Sequence, residues 1–379
     1  MGLDDNKHAC IMLNMIPDIG TTRIRRLHDF FNGNLQRVFK ATTSELCNVE
    51  DIGKILAQRI ASADLDSVNT ELKLAQALGV KIITVYDDEY PLMLRYISDP
   101  PTVMYIRGSI PAQNDIPVAV VGTRAPTSYG NMVAERLSTA LAELGVTTVS
   151  GLARGIDTRV HCATLNAGGK TIAVLGNGLY HHYPPENKKL EDKIIESGAL
   201  ISEYPLKYPP DKSSFPRRNR LISGLCLGVV VIEAGLKSGA LITARLASEQ
   251  GKEVFAVPGN VFSKCSQGPH MLIKQGAKLV ESITDIIDEL MPLRERLAGL
   301  TAETLRKNNQ NVFCIINNLA EDEKLVYNIL PVEPVALDSM IENTNFSVSH
   351  ISQVLLQLEI KGLVKTLAGK MYLKVGSME

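Results

Sequence analysis

The sequence predicts an α/β fold: an extended Rossmann-like parallel sheet flanked by an N-terminal helical domain and a C-terminal domain of three helices and a hairpin. Three observations carry this expectation. Short apolar runs alternate with helical patterns from residue 118 onward. A pattern at residues 16–27 returns at residues 49–60. Residues 321–379 show three helical stretches and then a hairpin.

The chain has 379 residues, a length that favours several domains. With 45% hydrophobic and 21% charged residues it reads as an ordinary globular protein. Its 40 Lys and Arg nearly balance 41 Asp and Glu, so any surface for nucleic acid has to be locally basic. The 6 cysteines are scattered without a CxxC pair, which argues against zinc or thiol exchange and suits a reducing cytosol. The apolar stretch 11–16 stops at Pro17, so the N-terminus reads as neither a signal peptide nor a membrane span, and a cytoplasmic location is expected. The expected divisions are a helical domain at 1–70, a Rossmann-like domain at 71–291, a linker at 292–320 containing KNNQN (307–311), and a last domain at 321–379.

Residues 16–27 read IPDIGTTRIRRL and residues 49–60 read VEDIGKILAQRI, so that Asp18 and Asp51, Gly20 and Gly53, and Arg26 and Arg59 coincide. Such a match marks two copies of a helix, a glycine turn and a second helix. The pattern resembles helix-hairpin-helix (SAM-like) modules, which grip DNA backbones through the free N–H groups that follow the turn. An acid beside each turn opposes a phosphate. DNA contact and a plain packing role both stay open.

In the central domain the apolar runs are 118–121, 147–150, 171–175, 199–203, 228–232, 253–257 and 278–280, with helical patterns such as 129–144 and 241–250 between them. This alternation means a parallel sheet with right-handed crossovers, and runs such as VAVV and VVVI suit strands buried on both faces. Segments 81–86 and 102–108 look like further strands of the same sheet. Gly122, Gly151, Gly176, Gly235 and Gly259 fall at or just past carboxyl ends of strands. In open α/β sheets the ligand crevice lies there, and glycine lets backbone N–H groups approach a phosphate.

The first loop, GTRAPTSYG (122–130), is not GxGxxG, and no acid closes the second strand. Hydride transfer with a nicotinamide cofactor is therefore not expected. The absence of GxxxxGK[ST] argues equally against a P-loop nucleotidase, and no cofactor is assigned. The loops supply instead Thr123, Arg124 and Arg154, and the segment KSSFPRRNR (212–220) adds Lys212, Arg217, Arg218 and Arg220 around Phe215. Cations beside an aromatic that can stack on a base describe a single-strand groove. The plainer reading makes the arginines a solvated helix face and Phe215 a core anchor.

Asp157 and His161, four apart on a helix, read as helix support rather than an acid–base pair. His181 and His182 have no companion ligands at metal-binding spacing. Glu203 and Glu233 are the carboxylates that end strands facing the crevice. No catalytic residue and no metal are assigned.

The segments VGTRAPTSYG (121–130), SGLARGID (150–157), GGKTIAVLGNGL (168–179), SEYP (202–205), FPRRNRLISGL (215–225), EAGLKSGALITARLASEQGKEVFAVPGN (233–260) and GPHMLIKQGA (268–277) resemble DNA-processing protein A, the DprA/Smf family. The resemblance implies a bacterial cytoplasmic protein of natural transformation. Such a protein binds incoming single-stranded DNA, shields it from nucleases and helps load the RecA recombinase. It also implies a homodimer through the Rossmann-like domain, without established enzymatic activity. Carried over by motif, Arg124 becomes the central pocket arginine. Gly122, Thr123, Ser150, Gly151, Lys212, Phe215, Arg218, Arg220, Ser238 and Gly239 line the DNA path, and Lys170 joins them. Ala240 stands where the family commonly has serine in an SGSLIT pattern, which removes one hydroxyl and keeps the glycine turn.

At the C-terminus, helical patterns at 322–330, 337–344 and 349–361 and a hairpin from 362–364 and 370–374 look like a winged helix. Residues 321–379 hold eight acids against five lysines, a net charge of −3. Phosphates repel such a surface, which favours a protein contact over duplex DNA. Two rivals remain. One is a nucleotide-processing Rossmann enzyme such as a nucleoside-monophosphate phosphoribohydrolase, whose paired-glycine loop is missing here. The other is a winged-helix regulator with a ligand-sensing Rossmann domain.

Overall fold

The seven apolar runs of the central domain form seven parallel strands of one sheet, and the two further segments extend it. In chain order these are β1 (Val80–Thr84), β2 (Val103–Gly108), β3 (Ile116–Val121), β4 (Val146–Ser150), β5 (Thr171–Leu175), β6 (Ala199–Ser202), β7 (Gly228–Val231), β8 (Glu253–Ala256) and β9 (Lys278–Leu279). Their spatial order is β1-β2-β6-β5-β4-β3-β7-β8-β9. The pairs β1–β2 and β2–β6 are antiparallel. From β3 the chain builds outward to β6 and then returns to place β7 on the other side, so the winding reverses between β3 and β7.

This is a computed structural model that describes residues 3–110, 115–296, 319–330, 335–344, 346–361, 363–367 and 371–374. The chain divides into two units, Met1–Arg294 and Glu295–Glu379. Most of the linker expected at 292–320, including KNNQN, lies outside the described residues.

Every residue of β4 and β5 is buried, as strands covered on both faces require. Thr148 and Thr171 share a buried polar network, whereas the Thr147 hydroxyl is buried without a partner among the described residues. Thr148 Oγ1 lies 2.8 Å from Thr164 Oγ1 and 2.9 Å from Thr171 Oγ1, and His161 Nδ1 is 2.7 Å from Thr171 Oγ1. Burial lowers the His161 pKa to about 3, so the ring is neutral.

The N-terminal repeat forms the helices Thr21–Phe30 and Lys54–Ala61, each preceded by its glycine, with Asp18 and Asp51 in the left-handed region at φ 67° and 63°. Asp tolerates that region better than most residues because its short side chain bonds locally. The apolar cluster of these helices and of the preceding helix Leu3–Met15, including Ile11, Ile24 and Leu27, continues into Tyr105, Ala173 and Leu200 of the sheet. Asn14 Nδ2 donates to the Glu203 carbonyl at 3.1 Å, and Glu71 Oε1 accepts the Leu206 N–H at 2.7 Å, so hydrogen bonds cross the same boundary.

The second unit is a winged helix. The helices Glu321–Ile329, Leu337–Thr344 and Val348–Ile360 enclose Val326, Met340, Ile351 and Leu358. The strands β10 (Val335–Ala336), β11 (Val364–Leu367) and β12 (Met371–Lys374) pair antiparallel in the order β10-β12-β11. Gly362 and Lys370, expected in the hairpin, lie outside the described residues. The last helix begins after Ser347, whose hydroxyl accepts the His350 N–H, slightly earlier than the pattern suggested. Lys361 Nζ binds both Glu323 oxygens at 2.6 Å, and His350 Nε2 lies 3.0 Å from Asp322. Lys361 and His350, at the two ends of the last helix, are thus both engaged by acids of the unit's first helix. Among the described residues no helix is long and apolar enough to cross a membrane, and no cluster of His, Cys, Asp or Glu is arranged to hold a metal.

Candidate nucleic-acid interface

The loops after β3, β4 and β5 meet the helix Ser214–Gly224 at the carboxyl edge of the sheet. That helix joins β6 to β7, so its path carries it across the edge. Phe215 and Arg218, three residues apart, share its inward side. The resulting cleft is lined by Arg124, Arg154, Asn177, Tyr183, Phe215 and Arg218, among others.

A stack stands at its centre. The half-buried Phe215 ring lies on Tyr183, with centroids 5.4 Å apart and planes at 29°, and the exposed Arg124 holds its guanidinium carbon 5.6 Å from the Phe215 centroid. A cation held over a ring in this way is attracted by the ring quadrupole and keeps its outward N–H groups for an anion. Gly176 makes room for the stack, since a Cβ there would lie 2.8 Å from Phe215 Cδ1.

Beneath the stack lies Arg218, 4% exposed. Its Nη1 donates to the carbonyls of Gly151, at 2.7 Å, and Val174. Burial lowers its pKa to about 10, which leaves it charged at neutral pH. Asp157 accepts the N–H groups of Gly151 and Ala153 at 3.2 and 3.3 Å; burial raises its pKa, while the Arg218 charge opposes that rise. Leu152 between them takes a left-handed φ of 56°, and Asn187 donates to its carbonyl at 3.0 Å. This turn projects Arg154 outward, where Glu186 pairs with it at 3.1 Å.

The strand-end glycines serve side chains more than bare backbone. A Cβ on Gly151 would lie 2.5 Å from Arg218 Nη1, one on Gly122 would lie 2.6 Å from Ile156, and one on Gly259 would meet Ser266. The Thr123 N–H donates to the Glu233 carbonyl at 2.7 Å, and the Gly151 N–H is held by Asp157. At these positions the expected amide cradle is replaced by arginines.

The other expected residues are dispersed. Thr123 is half-buried, its Oγ1 accepting the Ala125 N–H, and Ser150 is fully buried, donating to the Val120 carbonyl at 2.8 Å as a support behind the cleft. Lys212 is exposed just before the Phe215 helix. Ser238 and Gly239 lie past β7, beyond β3 from the cleft, where Ser238 caps the helix Gly239–Glu249 by accepting the Ala240 N–H. Two placements depart from the DNA path expected for them. Lys170 precedes β5, so it sits at the amino edge of the sheet, 3.2 Å from Asp115. Arg220 turns away from Arg218, binding Glu203 at 3.0 and 2.6 Å and Asp99 at 3.1 Å. Burial would lower its pKa, but Glu203 and Asp99 together raise it.

Both candidate carboxylates are engaged. Glu203 holds Arg220, and the buried Glu233 accepts from the Thr127 N–H at 2.9 Å and its hydroxyl at 2.6 Å, at the start of the helix Ser128–Glu143. Asp157 and His161 each bond elsewhere instead of to one another. His182 has a carboxylate partner that its sequence neighbourhood did not show, Glu191 at 2.5 Å. Sequence reasoning missed Tyr183 and Asn177 as members of the cleft and Glu186 as the partner of Arg154; an aromatic before the prolines at 184–185 was the available signal.

The family model described as DNA recombination-mediator protein A matches residues 81–291, and a DprA winged helix domain matches residues 316–370. Protein Smf of Escherichia coli is 38% identical over 83% of this chain and 82% of its own length. Protein Smf of Synechocystis is 34% identical over 95% and 96%. Among solved structures, DNA processing protein A from Streptococcus pneumoniae superposes with a TM-score of 0.68 at 35% identity, over 75% of this chain and 98% of that one. A Helicobacter pylori structure, described by its single-stranded DNA binding mode, superposes with a TM-score of 0.50 at 31% identity over 56% and 95%.

Proposed function

The chain belongs to the DNA processing protein A (DprA/Smf) family, and on that premise we propose that it binds single-stranded DNA at the carboxyl edge of its sheet. In natural transformation it would shield that strand from nucleases and pass it to the RecA recombinase. The observation that carries the reading is the Tyr183–Phe215–Arg124 stack. It sets an aromatic face and an exposed cation side by side, the two elements that sequence-tolerant binding of single strands uses. The Helicobacter relative supports the choice of ligand.

Phosphate contacts make affinity fall steeply with salt, while stacking requires unpaired bases. Anisotropy of labelled single-stranded and duplex oligonucleotides across a salt series tests both. The expected result is tighter single-strand binding with a strong salt slope. Equal affinity for duplex, or a flat slope, overturns the reading. We further propose a homodimer through the Rossmann-like domain. A groove of about 750 Å³, where Leu241, Ile242, Val254 and Met271 lie among the charged Arg245, Lys252 and Glu253, is the surface assigned to the second copy.

A further inference from the structure

The winding reversal between β3 and β7 divides the carboxyl edge into two halves, and the cleft occupies only the half formed by β3, β4 and β5. The other half carries an aromatic that the fold does not use. Phe262, in the loop after β8, is 93% exposed, and Val261 beside it is 72% exposed. The loop holds this ring out through its own bonds. The Phe262 N–H donates to Asn260 Oδ1 at 2.9 Å, and the Ser263 N–H donates to the Asn260 carbonyl at 2.9 Å. Two lysines are exposed as well, Lys264 two residues further along the same loop and Lys237 on the loop after β7. The two loops are joined by bonds from Ala234 N–H to the Cys265 carbonyl at 2.7 Å and from Gly268 N–H to the Ala234 carbonyl at 2.8 Å.

A hydrogen bond ties the element after the Arg124 loop to this half of the edge. Tyr129, from the helix that follows the Arg124 loop, reaches over β7 and donates its hydroxyl to the Pro258 carbonyl at 2.7 Å. From β5 to β8 the edge crosses four strand spacings, roughly 20 Å. We infer that the nucleic-acid path continues past the cleft over β7 and β8, where Phe262 is a second base-stacking platform, with Lys237 and Lys264 exposed on the same two joined loops. The inference rests on the proposed single-strand binding and names a second subsite for it. It assigns the exposed ring to an unpaired base because the exposed charges of these loops are cationic and a hydrogen bond ties them to the helix that follows the Arg124 loop.

The test uses the full chain with two thymidine oligonucleotides, one of about six nucleotides that fills the cleft alone and one of about twenty that spans the edge. Phe262→Ala should weaken the longer oligonucleotide on the order of tenfold and leave the shorter unchanged. The chain contains no tryptophan, so Phe262→Trp introduces a single indole reporter. The longer oligonucleotide should quench its fluorescence, with affinity kept. Unchanged affinity with an unquenched indole overturns the inference. So does an equal loss for both lengths, or a Phe262→Ala protein that loses self-association on a sizing column while binding DNA normally. If wild type binds neither oligonucleotide, the proposed function itself fails; if it binds both and Phe262→Ala has no effect, only the second platform falls.

Discussion

Arg59 donates to Asp18 across the N-terminal helices at 2.7 Å, and Arg26 makes the equivalent bond to Asp51. The two copies of the repeat thus exchange arginines, each copy's cation closing the other copy's turn. The acids that weaken these turns as phosphate sites have a structural use. Both pairs are exposed, and exposed pairs contribute little. Arg59→Ala should therefore lower stability by less than about 1 kcal/mol in urea denaturation. Single-strand affinity should stay at the wild-type value in the same preparation.

Arg124 is the exposed cation of the cleft, its guanidinium over the Phe215 ring and with no acid paired to it among the described residues. Arg124→Glu should nearly abolish binding of a short oligonucleotide and leave the circular dichroism spectrum unaltered. Arg124→Lys should retain part of the affinity, as a point charge without the planar stacking group. Wild-type affinity in the glutamate variant would show that DNA passes elsewhere.

Arg154 points outward beside the cleft but is paired with the exposed Glu186. A phosphate has to compete with that carboxylate. Glu186→Gln should raise single-strand affinity a few-fold at low ionic strength, with the gain fading as salt screens the pair. Anisotropy titrations at two salt concentrations measure it, and an unchanged or weaker affinity would place Arg154 outside the path.

Gly151 lends its space to Arg218. Gly151→Ala should drive the buried guanidinium from its carbonyl partners, costing about 1–3 kcal/mol of stability and loosening the cleft floor. Thermal melting and oligonucleotide affinity should fall together. A melting temperature equal to wild type would mean that the loop after β4 yields without cost.

His161 is neutral in the folded chain, its pKa lowered to about 3 by burial from the ordinary 6.5. The unfolded chain takes up this proton near pH 6.5 and the native one does not. The stability from His161 is therefore complete above pH 6.5 and drains as pH falls toward 3. Groups whose pKa is raised, such as Asp157, act in the opposite direction. His161→Gln should flatten the pH dependence by about one proton in urea melts below neutral pH. An identical slope in the variant would contradict a neutral buried ring.

The strands were legible because β-branched runs and glycine turns are local signals, and all seven central runs became strands. Arg124 and Phe215 were legible as residues of the cleft because one follows a strand directly and the other sits among cations. Arg220 was misplaced for a reason that helix geometry contains. Two residues on a helix differ by about 200°, so Arg218 and Arg220 cannot face the same way. Lys170 was misplaced because it precedes its strand, which puts it at the opposite sheet edge. Tyr183 and Glu186 were hidden because they meet Phe215 and Arg154 only when separate loops fold together, and the Glu191 partner of His182 because a turn and a short helix separate them in sequence.

The apolar cluster shared by the N-terminal helices and the sheet has a calorimetric consequence. Ala173, Leu175 and Leu200 are buried in the same cluster as Ile24 and Leu27, so stripping the helices away would expose strands whose ends hold the cleft. Heating should then dissolve residues 3–294 in one endotherm rather than two. A proteolytic fragment beginning after the helices would carry a sticky, half-bare sheet, and precipitation would be its expected fate.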